Sequence, residues 1–421
     1  MRKFIQTIQN IWKIEDLRSR LGVTLLFVLI YRFGSFVVLP GIDPTALTAL
    51  QAQTAGGLMA LLDMFSGGAF SNASIFALGI MPYISASIVI QLLTIAVPYF
   101  QKMQKEGESG RQKMNQITRY LTVAILLFQG PSYLVNLSVQ MAQAGQAISV
   151  GFNWFTISST ILLCAGSMFV MWLGERITDR GIGNGISFII LIGIIARFPA
   201  AIIQEFSSRL NEGGGLMVFI LEIILLLFVF AFAILLVQGT RRIPVQYAKR
   251  MVGNKQYGGV RQYIPLKVNA ANVMPIIFAQ AIMFIPIALA GFSTSESASA
   301  FTRAFMDNDG FWYNAVFAIL IIVFTYFYTA IIINPVQMAE NLKLNNGFIP
   351  GVKPGKKTAE YIDSIMTRLT LPGSCLLAII AILPAFARLA GVSMGFAQFF
   401  GGTSLLIMVG VILDTLQQIE S

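Results

Sequence analysis

The chain contains no histidine. That absence removes the HExxH zinc site, the imidazole general base and the Ser–His dyad. Cysteine is nearly missing too: Cys164 and Cys375 are the only two in 421 residues, and each lies inside an apolar run. They read as small buried hydrophobes rather than as a disulfide framework. Charge is the third scarcity. Only 11% of the residues are charged, against roughly a quarter in a soluble domain. No cluster of carboxylates and cysteines suggests a metal site, and no nucleophile sits with a base. The expectation is a protein that is not an enzyme and carries no cofactor.

What is present is apolar. Hydrophobic residues make up 56% of the chain and the mean hydropathy is +0.73. Runs near the ~20 residues that cross a bilayer occupy 21–39, 75–97, 120–139, 154–173, 185–203, 216–238, 270–292, 312–334, 369–389 and 395–415. They are continuous rather than alternating, which argues against a β-barrel. An all-α polytopic membrane protein with ten transmembrane helices is predicted. Residues 1–20 are basic and amphipathic and lead straight into a full span, so no cleavable secretory signal is expected.

The basic residues set the orientation. With the N-terminus inside, segments 1–20, 98–119, 174–184, 239–268 and 335–368 hold 24 of the 29 lysines and arginines. The other side has Arg197, Arg209, Arg303 and Arg388, and Arg32 lies within the first span. Positive residues favour the cytoplasmic side, so both termini are expected there. The net charge of +10 belongs to that face. Five spans precede the outer loop Ser207–Leu216 and five follow, predicting halves at 1–206 and 207–421. An odd number of spans in each half permits an inverted repeat.

Two glycine-rich motifs fail as nucleotide loops. "RGIGNGIS" (Arg180–Ser187) has no preceding strand and reads as a tight turn. "GVKPGKKT" (Gly351–Thr358) is one residue short of a P-loop, and Lys357 stands where Ser or Thr should hold magnesium. With no nucleotide engine in the chain, energy for any transport must come from outside. Among ionisable residues within spans, Arg32 is deep, whereas Glu222 and Asp414 lie near span ends and are expected to snorkel. So few acids argue against a proton-driven pump. A passive channel and a secondary transporter for small solutes remain.

Two features exceed what topology requires. The basic loops 239–268 and 335–368 are far longer than connectors. Arg241, Arg242, Lys249, Arg250 and Lys353 are read as a docking surface for RNA phosphates or an acidic partner. The stretch "FSGGAFSNAS" (Phe65–Ser74) opens a greasy run with small residues. These bury little area, which predicts a poorly anchored piece that is either a loop or a moving part.

The stretches "MFSGGAFSNASIFALGIMPYISASIVIQLL", "KEGESGRQKMNQITRY", "MWLGERITDRGIGNGIS", "RRIPVQYAKR", "GFIPGVKPGKKTAEYIDSIMTRLTLPG" and "FFGGTSLLIMVGVILD" resemble the SecY family, channel-forming subunits of the bacterial Sec protein translocase. The resemblance implies two pseudo-symmetric five-helix halves forming an hourglass channel in the bacterial inner membrane. Such a channel passes unfolded secretory polypeptides and releases apolar segments sideways into lipid. It also implies a re-entrant plug at about 58–74, including Phe65, Ser66, Gly67, Gly68, Ala69, Phe70, Ser71 and Asn72. A pore ring is implied at Ile80, Ile84, Ile190, Ile277 and Ile407. Ile80 and Ile84 are four residues apart and share a helix face, and a dry collar of isoleucines resists ions by dewetting. Apolar signals need a lateral gate, placed between the second and seventh spans with Gln91 and Asn269 as clasps. The implied partners are the small membrane subunits SecE and SecG, the SecA motor ATPase, the ribosome, signal sequences and lipids. Lys353 stands where the family pattern has Arg, keeping the charge but losing the planar fork.

Overall fold

The computed structural model describes residues 13–42, 63, 65–143, 152–212, 215–247, 250–252, 255–257, 261–271, 273–290 and 310–420. A helix satisfies its own backbone hydrogen-bonding groups, which hydrocarbon cannot do, and helices accordingly dominate. They are α1 (Glu15–Gly34), α2 (Met81–Ala96), α3 (Pro98–Lys105), α4 (Glu108–Gln143), α5 (Phe152–Arg180) and α6 (Gly185–Glu212). Further along come α7 (Gly215–Gln238), α8 (Met274–Ala290), α9 (Phe311–Ile332), α10 (Pro335–Leu344), α11 (Lys356–Leu389) and α12 (Gly402–Glu420). Every predicted run overlaps one of these helices. Among the described residues, seven helices are long and apolar enough to cross a membrane, and the bent pair α2–α3 makes an eighth. The bend falls at Val97, which Pro98 pushes to extended backbone at φ −114° and ψ 120°.

Two boundaries differ from expectation. Helix α4 reaches back to Glu108, through residues assigned to a loop. The second predicted span becomes helical only at Met81, with Pro82 in the first turn, where its missing N–H costs nothing. Residues 66–80 form successive turns instead.

The chain divides into two compact units, Met1–Glu205 with Val411–Ser421, and Phe206–Gly410. One core of the first unit gathers Leu39, Phe70, Ala73, Tyr133, Leu134, Phe155 and Leu163. In the second, α9 packs against α8 and α11. The basic loops there add a small antiparallel sheet. Strands β1 (Thr240–Tyr247), β4 (Arg261–Lys267) and β5 (Gly347–Phe348) pair in the order β4–β1–β5, while β2 (Arg250–Val252) pairs with β3 (Lys255–Tyr257). Alternation along β1 sends Ile243 and Val245 into a core with Leu266, Leu342, Ile362 and Met366. Arg241 and Arg242 stay exposed.

Two local readings are corrected. Cys164 is half-buried and Cys375 exposed. Lipid tails are as apolar as a protein core, so an apolar run does not imply an interior position. Glu222 does not snorkel. Its side chain is buried and accepts a hydrogen bond from Arg209, which also donates to the Gly391 carbonyl at 2.7 Å. Asp414 is exposed, as expected.

Candidate functional site

Residues 65–74 form the most unusual feature of the first unit: irregular backbone, almost wholly buried. Phe65, Ser66, Ala69, Phe70, Ser71, Ala73 and Ser74 are each at most 7% exposed. Four helices surround them. From α1, Tyr31 Oη donates to the Ser66 carbonyl (3.1 Å) and Arg32 Nη1 to the Gly67 carbonyl (2.8 Å). From α4, Tyr133 Oη donates to the Phe70 carbonyl (2.9 Å), and the two rings lie 4.7 Å apart. From α5, the ring of Phe169 stacks on Phe76, which in turn stacks on Tyr31. From α6, Arg197 forms an ion pair with Asp63 and donates to Ser71 Oγ (2.9 Å).

The segment also holds itself. Asp63 accepts the Ser71 N–H on its carboxylate (2.8 Å) and the Gly68 N–H on its carbonyl (2.9 Å). The Leu39 N–H donates to the Ala73 carbonyl and the Ile75 N–H to the Val37 carbonyl, a single bridge that fixes where the segment leaves for α2. Glycine is required twice. Gly67 (φ 65°) and Gly68 (φ 92°) adopt the left-handed region, and a Cβ on Gly67 would stand 2.8 Å from the Gly193 Cα on α6.

The expectation of poor anchorage is therefore half right. The small residues supply little apolar grip, but Phe65 and Phe70 are buried, Phe70 in the core with Leu39 and Tyr133, and side chains from the surrounding helices hold the carbonyls and the one carboxylate. Of these anchors only Arg32 stood out in the sequence, as a charge deep in a span. Tyr31, Asp63, Tyr133 and Arg197 carried no signal, because nothing local links residues so distant along the chain. The plug range began at 58. Residues 58–62 and 64 lie outside the described residues.

The remaining candidates divide by unit. Ile80 caps the start of α2, and its carbonyl accepts the Ile84 N–H at 3.1 Å, so both lie on the first turn of one face. Ile80 and Ile190 are buried and Ile84 half-buried. In the second unit Ile407 is buried and Ile277 half-buried. Gln91 Nε2 contacts Ser87 Oγ one turn earlier on α2, at 3.4 Å, and Asn269 is buried ahead of α8. Lys353 is exposed, and its carbonyl accepts from Thr358 Oγ1 (3.0 Å). Arg250 opens β2, whereas Lys249 and Arg303 lie outside the described residues. Among the described residues no group of three or more acids and cysteines could hold a metal.

A family model described as SecY matches residues 74–416. The protein translocase subunit SecY of Streptomyces scabiei is 43% identical over 420 residues, covering 97% of this chain and 95% of the relative. Among solved structures, one concerns a SecY protein whose plug domain stabilises the closed state of the translocation channel and maintains a membrane seal. It aligns with a TM-score of 0.61 at 16% identity, covering 96% of this chain and 92% of that one. Sec61 in the canine ribosome–channel complex from the endoplasmic reticulum aligns with a TM-score of 0.56 at 14% identity, over 96% and 92% of the two chains.

Proposed function

The chain belongs to the SecY family, and on that premise we propose how its parts act. It is a multi-pass membrane protein and not an enzyme: the channel-forming subunit through which unfolded polypeptides are translocated. In the proposed cycle, Phe65–Asn72 and the residues flanking them plug the resting channel. Ile80, Ile84, Ile190, Ile277 and Ile407 form a gasket around the chain in transit. Aliphatic side chains shed water, which blocks ions, and make no directional bonds, which lets many sequences slide past. The second and seventh spans part to release apolar segments into lipid. Clasps such as Gln91 and Asn269 suit a reversible seam, since hydrogen bonds between membrane helices contribute only about 0.6–2 kcal/mol.

The membrane is the bacterial inner membrane with both termini in the cytoplasm, a reading supported by the placement of 24 of 29 basic residues. The loops bearing Arg241, Arg242, Lys249, Arg250 and Lys353 then face the compartment from which partners arrive. A ribosome partner is supported by the ribosome-bound Sec61 neighbour. The motor SecA and the small subunits SecE and SecG complete the proposed assembly. The halves 1–206 and 207–421 are proposed as its two five-helix arms.

One observation carries this reading: a buried, non-helical segment held by side-chain donors on its carbonyls and an ion pair, rather than by continuous backbone pairing. Such anchors can be exchanged for water when the segment leaves. The test is reconstitution into vesicles with the small subunits and the motor. Protease-protected import of an unfolded precursor, with no uptake of small labelled solutes, is expected. Solute uptake without import would make the chain a transporter and overturn the reading.

A further inference from the structure

We propose that Thr24, Thr178 and Gln418 are positioning residues for the channel's seal: they mount the turn Gly181–Asn184, and through it they fix where Ile190 stands. The proposal rests on the reading of Ile190 as a ring residue. All of these residues belong to the first unit. Between α5 and α6, side-chain oxygens take up the backbone donors in succession. The Ile182 N–H donates to Thr24 Oγ1 of α1 (3.2 Å), the Gly183 N–H to Gln418 Oε1 of α12 (2.7 Å) and the Gly185 N–H to Thr178 Oγ1 of α5 (2.9 Å). Asn184 Oδ1 accepts from the N–H groups of Ile186 and Ser187 and so caps α6. Donors engaged in this way cannot cradle a phosphate, which is why the glycine-rich motif here is not a nucleotide loop.

Both threonines are fixed acceptors. Thr24 Oγ1 donates to the Arg20 carbonyl (2.8 Å) and Thr178 Oγ1 to the Gly174 carbonyl (2.9 Å), each one turn back in its own helix. With its hydrogen committed there, each hydroxyl turns its lone pairs to the backbone of the turn. The approach is close enough to require glycine. A Cβ on Gly181 would stand 2.5 Å from Thr24 Oγ1, and one on Gly185 would overlap the Gly174 carbonyl oxygen. Held from three helices at once, the turn cannot slide along any one of them.

Distance gives the mount its leverage. Ile190 lies five residues beyond Gly185 in α6, roughly 7–8 Å along the helix axis. So short a piece of helix is stiff, and a displacement of the turn reaches Ile190 almost undiminished. A dewetting collar excludes ions only while its members close on the polypeptide at one level. The three bonds differ in weight. Ile182 is buried, so removing its acceptor strands a donor that the structure relieves by moving. Water can replace Gln418, which is exposed.

The experiment uses the full chain with its small subunits in vesicles and a precursor arrested midway, so that ion leak reports the ring rather than the plug. Thr24→Val removes the acceptor and keeps the shape. It should raise the leak around the arrested chain by about fivefold or more while the import rate stays within about twofold. Thr24→Ser restores the hydroxyl and should seal like the parent. Gln418→Leu should raise the leak by only about twofold, and Gln418→Glu, which keeps an acceptor, should not raise it. Should Thr24→Val fail to assemble, Thr178→Val removes the Gly185 bond at an exposed position and should act in the same direction, by about two- to fivefold. A photoreactive residue replacing Ile190 should crosslink less to the precursor in the Thr24→Val background, while one replacing Ile84 crosslinks as before. General loosening would not give that difference. Leak raised equally by Thr24→Val and Thr24→Ser overturns the mount. If the parent channel crosslinks at Ile190 and the variants leave leak unchanged, the ring stands and the mount falls; if the parent gives no crosslink at Ile190, the ring reading falls there and the mount with it.

Discussion

Gly67→Ala perturbs the plug at the point where its backbone lies closest to a helix. Two terms add. Gly67 sits at φ 65°, in the left-handed region, which costs an L-residue with a side chain about 1–2 kcal/mol. The new methyl would also stand 2.8 Å from the Gly193 Cα and 3.0 Å from Arg32 Nη1. The first of these is backbone and cannot swing away, so overpacking adds about 1–3 kcal/mol. Both terms weigh on the closed state alone. The lower bound of about 2 kcal/mol raises the open population roughly thirtyfold. Gly68→Ala is the matched control. Its φ of 92° carries similar strain, but its methyl would make only ordinary van der Waals contacts, with Arg197 Nη2 at 3.5 Å and Nε at 3.7 Å and with Asn72 Nδ2 at 3.9 Å. About 1–2 kcal/mol, or roughly five- to thirtyfold, is expected there. Planar-bilayer recordings of the fraction of time conducting would read both. Equal effects at the two glycines would refute the close-packing argument, and no effect at either would refute the seated plug.

Replacing Ile80 or Ile407 with Asn should wet the constriction and raise resting ion flux, whereas Val at the same sites, costing about 0.5–1.5 kcal/mol, should leave conductance unchanged. Arg241→Glu with Arg242→Glu should weaken ribosome and motor binding, most at low salt because the attraction is directed at phosphate or other anions, without altering resting conductance. Equal affinities for both partners would leave those charges a topological role only. A cysteine crosslink joining the second and seventh spans should block import of precursors, and undiminished import would place the lateral gate elsewhere.

The spans were legible because hydrocarbon demands long continuous apolarity, a pattern few soluble segments imitate. Other features were hidden for physical reasons. The turns through residues 66–80 run without a break into the apolar helix that follows, and their backbone takes positive φ at Gly67, Gly68, Ala73 and Gly79. The sheet in the basic loops was masked by Pro244 and Pro265, which speak against strands. At Pro244 the central strand has a neighbour on one side only, since β5 pairs just with Gln246 and Tyr247, and proline is tolerated there. Glu222 looked like a span-end residue because its partner, Arg209, arrives from the preceding helix. The anchors of the plug were illegible for a related reason: each joins a helix to a segment distant along the chain, and hydropathy describes a segment against lipid rather than against its neighbour.

Site-specific photocrosslinking of an arrested precursor tests the central claim most directly. A photoreactive residue replacing Ile80, Ile84, Ile190, Ile277 or Ile407 in turn, and Leu221 as a control that is 63% exposed on the outside of α7, would be activated while a precursor is held midway. The account predicts crosslinks to the precursor at each of the five isoleucines and none at Leu221. Precursor crosslinks absent from all five positions, in a channel shown to import, would mean that the polypeptide passes elsewhere.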